Sequence, residues 1–258
     1  MKHAQILIFE IGTGCNLAQA HKGRCPNTHP DRWAGTEGRR PLTDDMIVRL
    51  AVEAYEQHGF RGMIGWHFYC EPLLYWDRIR PLLTKIRQRV PAARFLLWTN
   101  GTKMPTPTIQ LRIVDQIQIT NYGGLDVAAL SELPNVGRII QPIWDCRWNA
   151  AVSPSPTAKG CEKPFSEFVV NHYGQVLLCC YDWRGEVKIG NVWDRPFGEV
   201  VAAWQGVRDA IAGMKMGGDA PDRCRRCVMK HEDLSYAFDR KIAAESAEYR
   251  RTLTEGKT

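Results

Sequence analysis

Five short apolar runs, each followed by a helical pattern or a turn, fill the first 145 residues and leave few folds open to the chain. The runs lie at residues 5–11, 63–68, 94–99, 115–120 and 137–143, bounded by Gly, Pro, Asn or Asp. Between the first two, Thr43 caps a predicted helix whose apolar residues Ile47, Leu50, Ala51, Ala54 and Tyr55 recur on one face. Residues 74–90 repeat that pattern, with Pro81 expected to kink the helix or start a new turn. Shorter helices are predicted at 109–114 and 125–133. Alternation of this kind predicts an α/β fold with a parallel sheet and right-handed crossovers, an open or partial parallel (β/α) barrel. Such folds carry their sites at the carboxyl ends of the strands. Cys15, Cys70, Asn100 and Asn121 each fall just past the end of a run.

After Asp145 the texture changes. Ser153-Pro154-Ser155-Pro156-Thr157 reads as a linker, dividing the chain into 1–150 and 151–258. Beyond it, Phe168-Val169-Val170 and Val176-Leu177-Leu178 flank a turn and predict a β-hairpin. An amphipathic helix follows, with Phe197, Val200, Val201, Trp204 and Ile211 on its apolar stripe. The second unit has little core of its own, so bound metal would supply missing stability.

Nine cysteines in 258 residues point to metal ligation or catalysis in a reducing compartment rather than to disulfides. Cys161 and Cys179 come from the strand–turn–strand region, one on either side of the predicted hairpin, and Cys224 and Cys227 form a Cys-x-x-Cys knuckle. Together they could enclose a tetrahedral zinc ion or a four-iron cluster. Cys180 follows Cys179 directly and, on a strand, would face the other way, so only one of the two is expected to ligate.

The order of these motifs resembles the radical S-adenosylmethionine enzymes that carry a twitch or SPASM domain. Cys161, twelve residues, Gly174, four residues and Cys179 match the opening of that domain, and residues 190–204 and the knuckle are similar to its continuation. With no cysteine after Cys227, the chain resembles the short twitch form, and its layout is most like the aminocyclitol dehydrogenases of that group. The resemblance implies a radical S-adenosylmethionine partial barrel over 1–150 and a small C-terminal twitch/SPASM-like iron–sulfur domain with a helical tail over 151–258. It implies an auxiliary 4Fe-4S cluster on Cys161, Cys179, Cys224 and Cys227. Tyr69-Cys70-Glu71-Pro72 resembles the family segment that holds the methionine amino group of S-adenosylmethionine, so Glu71 and Pro72 are expected to bind that cofactor. Asn100 and Asn121 are expected near its adenosine and ribose.

The first cluster loop departs from the family pattern. Family members use Cys-x-x-x-Cys-x-x-Cys, but here Gln19 and Lys22 stand at the second and third positions after Cys15. The next thiol is Cys25, after an excursion of nine residues. A second, catalytic 4Fe-4S cluster is expected on Cys15 and Cys25, with Cys70, His21 or His29 as third ligand. A closed excursion would bring the sulfurs of Cys15 and Cys25 within about 7 Å, with Cys70 pointing toward them. A decayed first site is the rival expectation.

The resemblance implies hydrogen abstraction by a 5'-deoxyadenosyl radical from a polar substrate, a sugar or aminocyclitol or a ribosomal peptide. The auxiliary cluster would then accept the remaining electron. Tyr122, Asp145 and Arg147 are candidate substrate contacts. A reducing partner such as flavodoxin or ferredoxin is expected. Two other classes stay open, an iron–sulfur electron carrier and a zinc-stabilised binding module, and unusual ligation would also allow a transferase reaction. Apolar stretches such as residues 6–11 are too short to span a bilayer, so no membrane is expected and the location is expected to be cytoplasmic. A net charge of +6 without a basic run gives no indication of nucleic acid.

Overall fold

The structure is a computed structural model that describes residues 1–21, 25–122, 125–131, 135–140, 163–213 and 224. The predicted linker, Cys146, Cys161, Cys227, Asp145, Arg147 and the tail lie outside the described residues.

The predicted alternation is present. β1 (Ile6–Phe9), β2 (Met63–Trp66), β3 (Arg94–Thr99), β4 (Gln116–Thr120) and β5 (Val136–Ile140) pair in parallel, each with its predecessor. Helix α1 (Asp44–Glu56) starts where its cap predicts, with Thr43 Oγ1 accepting from the Met46 N–H. Its five predicted apolar residues are all buried. Helix α2 (Trp76–Arg89) follows a 3-10 turn, Pro72–Tyr75, and runs through Pro81 without ending there. Pro81 and Asp77, whose carbonyl loses its i+4 donor, are both exposed, so water can serve that carbonyl. Of the last two predicted helices, 109–114 is a 3-10 turn at Thr108–Ile113, and 125–133 contains the short α3 (Val127–Ser131).

The second unit joins the same sheet. A one-turn helix, α4 (Lys163–Ser166), leads into β6 (Glu167–Val170), which pairs in parallel with β1 on the side away from β2. The predicted hairpin is β6 with β7 (Gln175–Leu177), paired antiparallel, and β8 (Gly190–Asn191), which was not predicted, adds antiparallel to β7. Gly174, at φ 79, makes the hairpin turn that a side chain would strain. The result is one open eight-stranded sheet in the order β5-β4-β3-β2-β1-β6-β7-β8, a partial β/α barrel with an appended hairpin.

Strand alternation divides the interior into two faces. Leu7 and Phe9 of β1, Ile64 and Trp66 of β2, and Phe168 and Val170 of β6 pack against the helices in the main core. Ile8, Val169 and Leu177 face the other way, into a smaller inner cluster with Cys25, Phe68, Tyr69 and Trp183. Helix α5 (Phe197–Gly213) closes the main core over β6, with Phe168 edge-on to Phe197 at 5.7 Å and to Trp204 at 5.0 Å. Among the described residues no helix is long and apolar enough to cross a membrane.

Candidate functional site

The carboxyl end of β1 is held from outside before the chain reaches Cys15. Arg78 of α2 donates to the Ile11 carbonyl at 2.8 Å and pairs with Asp44 at 2.7 Å. The next turn passes so close to Tyr75 that a Cβ on Gly12 would lie 2.2 Å from the ring, and the Gly14 N–H donates to Tyr75 Oη at 2.7 Å. Only glycine lets the backbone approach that ring. Asn27, from the far side of the excursion, donates to the Thr13 carbonyl at 3.1 Å.

Glu71 ties three strand ends together. Its N–H donates to the Gly14 carbonyl at 2.9 Å. Its Oε1 accepts from the Leu73 N–H at 3.0 Å and from the Thr99 hydroxyl, and its Oε2 accepts from the Asn100 N–H at 2.8 Å. Burial pushes the Glu71 carboxyl up, and these hydrogen bonds oppose the rise. A carboxylate offers about four acceptor positions, so one on Oε2 is left for a ligand's ammonium group. Pro72 begins the turn that Glu71 caps. Asn100 reaches the cysteine loop: Nδ2 donates to Asn16 Oδ1 at 3.0 Å and lies 4.0 Å from Cys15 Sγ. Burial raises the Cys15 thiol pKa, and the nearby Glu71 carboxylate adds to that. Asn121 is buried at the end of β4, and the next residue, Tyr122, packs its ring 4.3 Å from that of His21. The expected cofactor residues Glu71, Pro72, Asn100 and Asn121 thus all lie at or past strand carboxyl ends, with Cys15 beside Glu71 and Asn100. A pre-formed acceptor position and a buried amide beside it fit the amino end of S-adenosylmethionine.

The three expected thiols of the first cluster do not converge. Cys25 packs in the inner cluster with Ile8, Phe68 and Tyr69. Cys70 packs instead in the main core, under the Ile11 and Gly12 backbone and near Glu10 and Glu71. Burial and both carboxylates push the Cys70 thiol far up. His21 is buried against Tyr122, and the ring of His29 lies 4.9 Å from that of Trp183. Among the described residues no three His, Cys, Asp or Glu side chains gather as a metal site. A cluster on Cys15, Cys25 and Cys70 does not fit this arrangement.

A buried ion pair that sequence reading missed occupies the ground between the two halves. Glu10, just past β1, and Arg32, on a 3-10 turn at Pro30–Trp33, are both fully shielded and meet at 2.8 Å. Arg32 spans both Glu10 oxygens, donates to the Trp183 carbonyl at 2.7 Å, and lies 4.2 Å from the Trp33 ring centroid. The Tyr69 and His172 N–H groups complete the Glu10 shell at 3.3 Å each. Phe68 turns beside it with φ 146, a conformation that costs a non-glycine residue about 1–3 kcal/mol. The signal for Glu10 was there: an acid at the end of an apolar strand needs a partner. Nothing in the sequence marked Arg32 as that partner.

In the C-terminal unit, Cys179 is buried past the end of β7, and its carbonyl accepts from the Asp182 N–H at 3.0 Å. Cys180 donates its N–H to Glu167 at 3.3 Å, and its carbonyl accepts from the Tyr69 hydroxyl. Cys224 lies against the main core. Thiols of this kind suit an iron–sulfur cluster, and the two described members of the expected set fit that class of ligand.

Residues 161–228 match the family model of SPASM, an iron–sulfur cluster-binding domain. The chain is 23% identical over 216 residues to the S-adenosyl-L-methionine-dependent 2-deoxy-scyllo-inosamine dehydrogenase of Niallia circulans, spanning 74% of this chain and 79% of that protein. Two crystal structures share the fold. BtrN in complex with AdoMet and 2-DOIA superposes with a TM-score of 0.58 at 18% identity, over 81% of this chain and 87% of that one. Selenomethionine BtrN in an open conformation gives 0.59 at 20% identity, over 87% and 92%. The chain therefore shares the fold of the two BtrN structures, and its C-terminal segment matches the SPASM model.

Proposed function

We propose that this chain is a radical S-adenosylmethionine oxidoreductase acting on a small polar hydroxylated substrate of the sugar or aminocyclitol class. The knot of Glu71, Asn100 and Cys15 at the ends of β1, β2 and β3 carries the reading, because it leaves a buried carboxylate position and an amide beside a cysteine loop. When bound there and given one electron by a flavodoxin- or ferredoxin-like donor, S-adenosylmethionine would supply methionine and a 5'-deoxyadenosyl radical able to take a hydrogen atom from a substrate carbon, and a 4Fe-4S cluster on the C-terminal unit would supply an acceptor for the electron left behind. The chain itself binds, orients and excludes water. Glu71 receives the methionine ammonium on its remaining acceptor position, while Asn100 and Asn121 meet the adenosine and ribose. The apolar inner cluster keeps water from the ground between Cys25 and Trp183. Cys161, Cys179, Cys224 and Cys227 hold the auxiliary cluster.

Cys15 and Cys25 serve the first site, and Cys70, packed in the main core, is left out of its ligand set. No step is assigned to a cluster on those three sulfurs. A flavodoxin- or ferredoxin-like donor and a cytoplasmic location follow from this chemistry. The separation of Cys70 from Cys25 also favours a second reading, an iron–sulfur electron carrier with one cluster. Calorimetric titration of the anaerobically reconstituted protein with S-adenosylmethionine tests the first reading. Saturable binding is expected, weakened at least about tenfold by Glu71→Ala, the loss expected from removing one charged hydrogen bond. Absence of binding at millimolar ligand would leave only the carrier.

A further inference from the structure

The turn that bears Cys179 is gripped from the other half of the molecule at two carbonyls. The Tyr69 hydroxyl donates to the Cys180 carbonyl, and Arg32 Nη1 donates to the Trp183 carbonyl at 2.7 Å. Both gripping residues are set by one carboxylate. Glu10 accepts from Arg32 Nη2 at 2.8 and 2.9 Å and from the Tyr69 N–H at 3.3 Å. The Tyr69 and Phe68 rings meet at 4.3 Å and stand 5.2 and 5.1 Å from the guanidinium. The gripped turn is itself closed: Asp182 accepts from the N–H groups of Glu186 at 2.9 Å and of Leu178 and Val187 at 3.4 Å. A push at Cys180 therefore moves the turn as a unit, Cys179 with it.

Tyr69 stands two residues before Glu71, and every described hydrogen bond of the Glu71 carboxylate runs to Leu73, Thr99 or Asn100. The peptide from Tyr69 to Glu71 is thus fixed at both ends, one to the strand ends and one to the cysteine turn. We propose that Tyr69 couples the two sites, so that S-adenosylmethionine bound against Glu71 and Pro72 alters the redox potential of the cluster held by Cys179. This rests on the function proposed above. Linkage makes the effect reciprocal: if occupancy of the first site changes the potential, the cluster's oxidation state changes affinity for the cofactor by the same free energy. Iron–sulfur potentials respond to hydrogen bonding and exposure around the sulfurs, both of which a shift of this turn would change.

Anaerobic redox titration of the full chain, followed by electron paramagnetic resonance, reads the effect on the cluster signal that Cys227→Ala removes. The wild-type potential is expected to shift when S-adenosylmethionine is added, by about 59 mV for a tenfold preference between oxidation states. Tyr69→Phe keeps the ring and the N–H and removes only the hydroxyl. It is expected to hold the same iron and to bind S-adenosylmethionine, with most of the shift lost. An unshifted wild type, or a full shift in Tyr69→Phe, overturns the coupling and leaves the functional reading standing. Loss of iron from Tyr69→Phe overturns it as well, because the hydroxyl would then only hold the ligand turn. A wild type that binds neither iron nor S-adenosylmethionine ends the functional reading and the coupling together.

Discussion

Arg32 and Glu10 have no solvent on either side chain, so removing one leaves the other as a buried charge without a counter-ion. Arg32→Met is expected to cost about 3–5 kcal/mol in urea unfolding, and Glu10→Leu combined with Arg32→Met should recover much of that loss. A cost near zero for the single change would mean that the pair is open in solution. His172 supplies a pH dependence. Burial, with Arg78 and Arg32 nearby, lowers its pKa below the ordinary 6.5, so the folded protein favours the neutral ring. Its contribution to stability is present above pH 6.5 and is lost as pH falls through the lowered folded value. The urea midpoint should therefore drop between pH 7.5 and pH 5.5 by less in His172→Asn than in wild type. Equal drops would show that His172 does not titrate differently on folding. At this scale the sequence was informative about Glu71, Asn100 and Cys15 because strand ends collect sites. The packing of Cys70 had no such signal, because it lies past the end of β2, where strand alternation no longer holds. The positive φ of Phe68 has no sequence signal either.

At the scale of elements, α5 is fastened to β6 by the packing of Trp204 and Phe197 around Phe168. Trp204→Ala should cost about 3–5 kcal/mol, seen as a lower midpoint in chemical unfolding, since Trp204 is completely buried. A loss under about 1 kcal/mol would contradict that packing. The helix α1, its cap, the strand β3 and the stripe of α5 were all legible, because each rests on local periodicity and capping chemistry. The pairing of β6 with β1 was not. It joins residues far apart in the chain through backbone hydrogen bonds that any strand could make, so the hairpin alone suggested a separate unit. Its shared core with Leu7 and Phe9 explains how a segment with little apolar bulk of its own is stabilised without relying on metal alone.

At the scale of the whole molecule, the strand ends proposed to bind S-adenosylmethionine and the cysteine turn belong to the same continuous sheet. Cys70→Ala is expected to leave the iron content of reconstituted protein unchanged, because Cys70 packs in the main core and Cys25 in the inner cluster. Loss of about four irons would show instead that Cys70 is a ligand. The most direct test of the central claim is the product of the reaction. Reconstituted wild type, incubated anaerobically with dithionite and S-adenosylmethionine, should release 5'-deoxyadenosine and methionine in equal amounts, and Glu71→Ala should release far less of both. Intact S-adenosylmethionine after that incubation, with the iron present, would contradict the account.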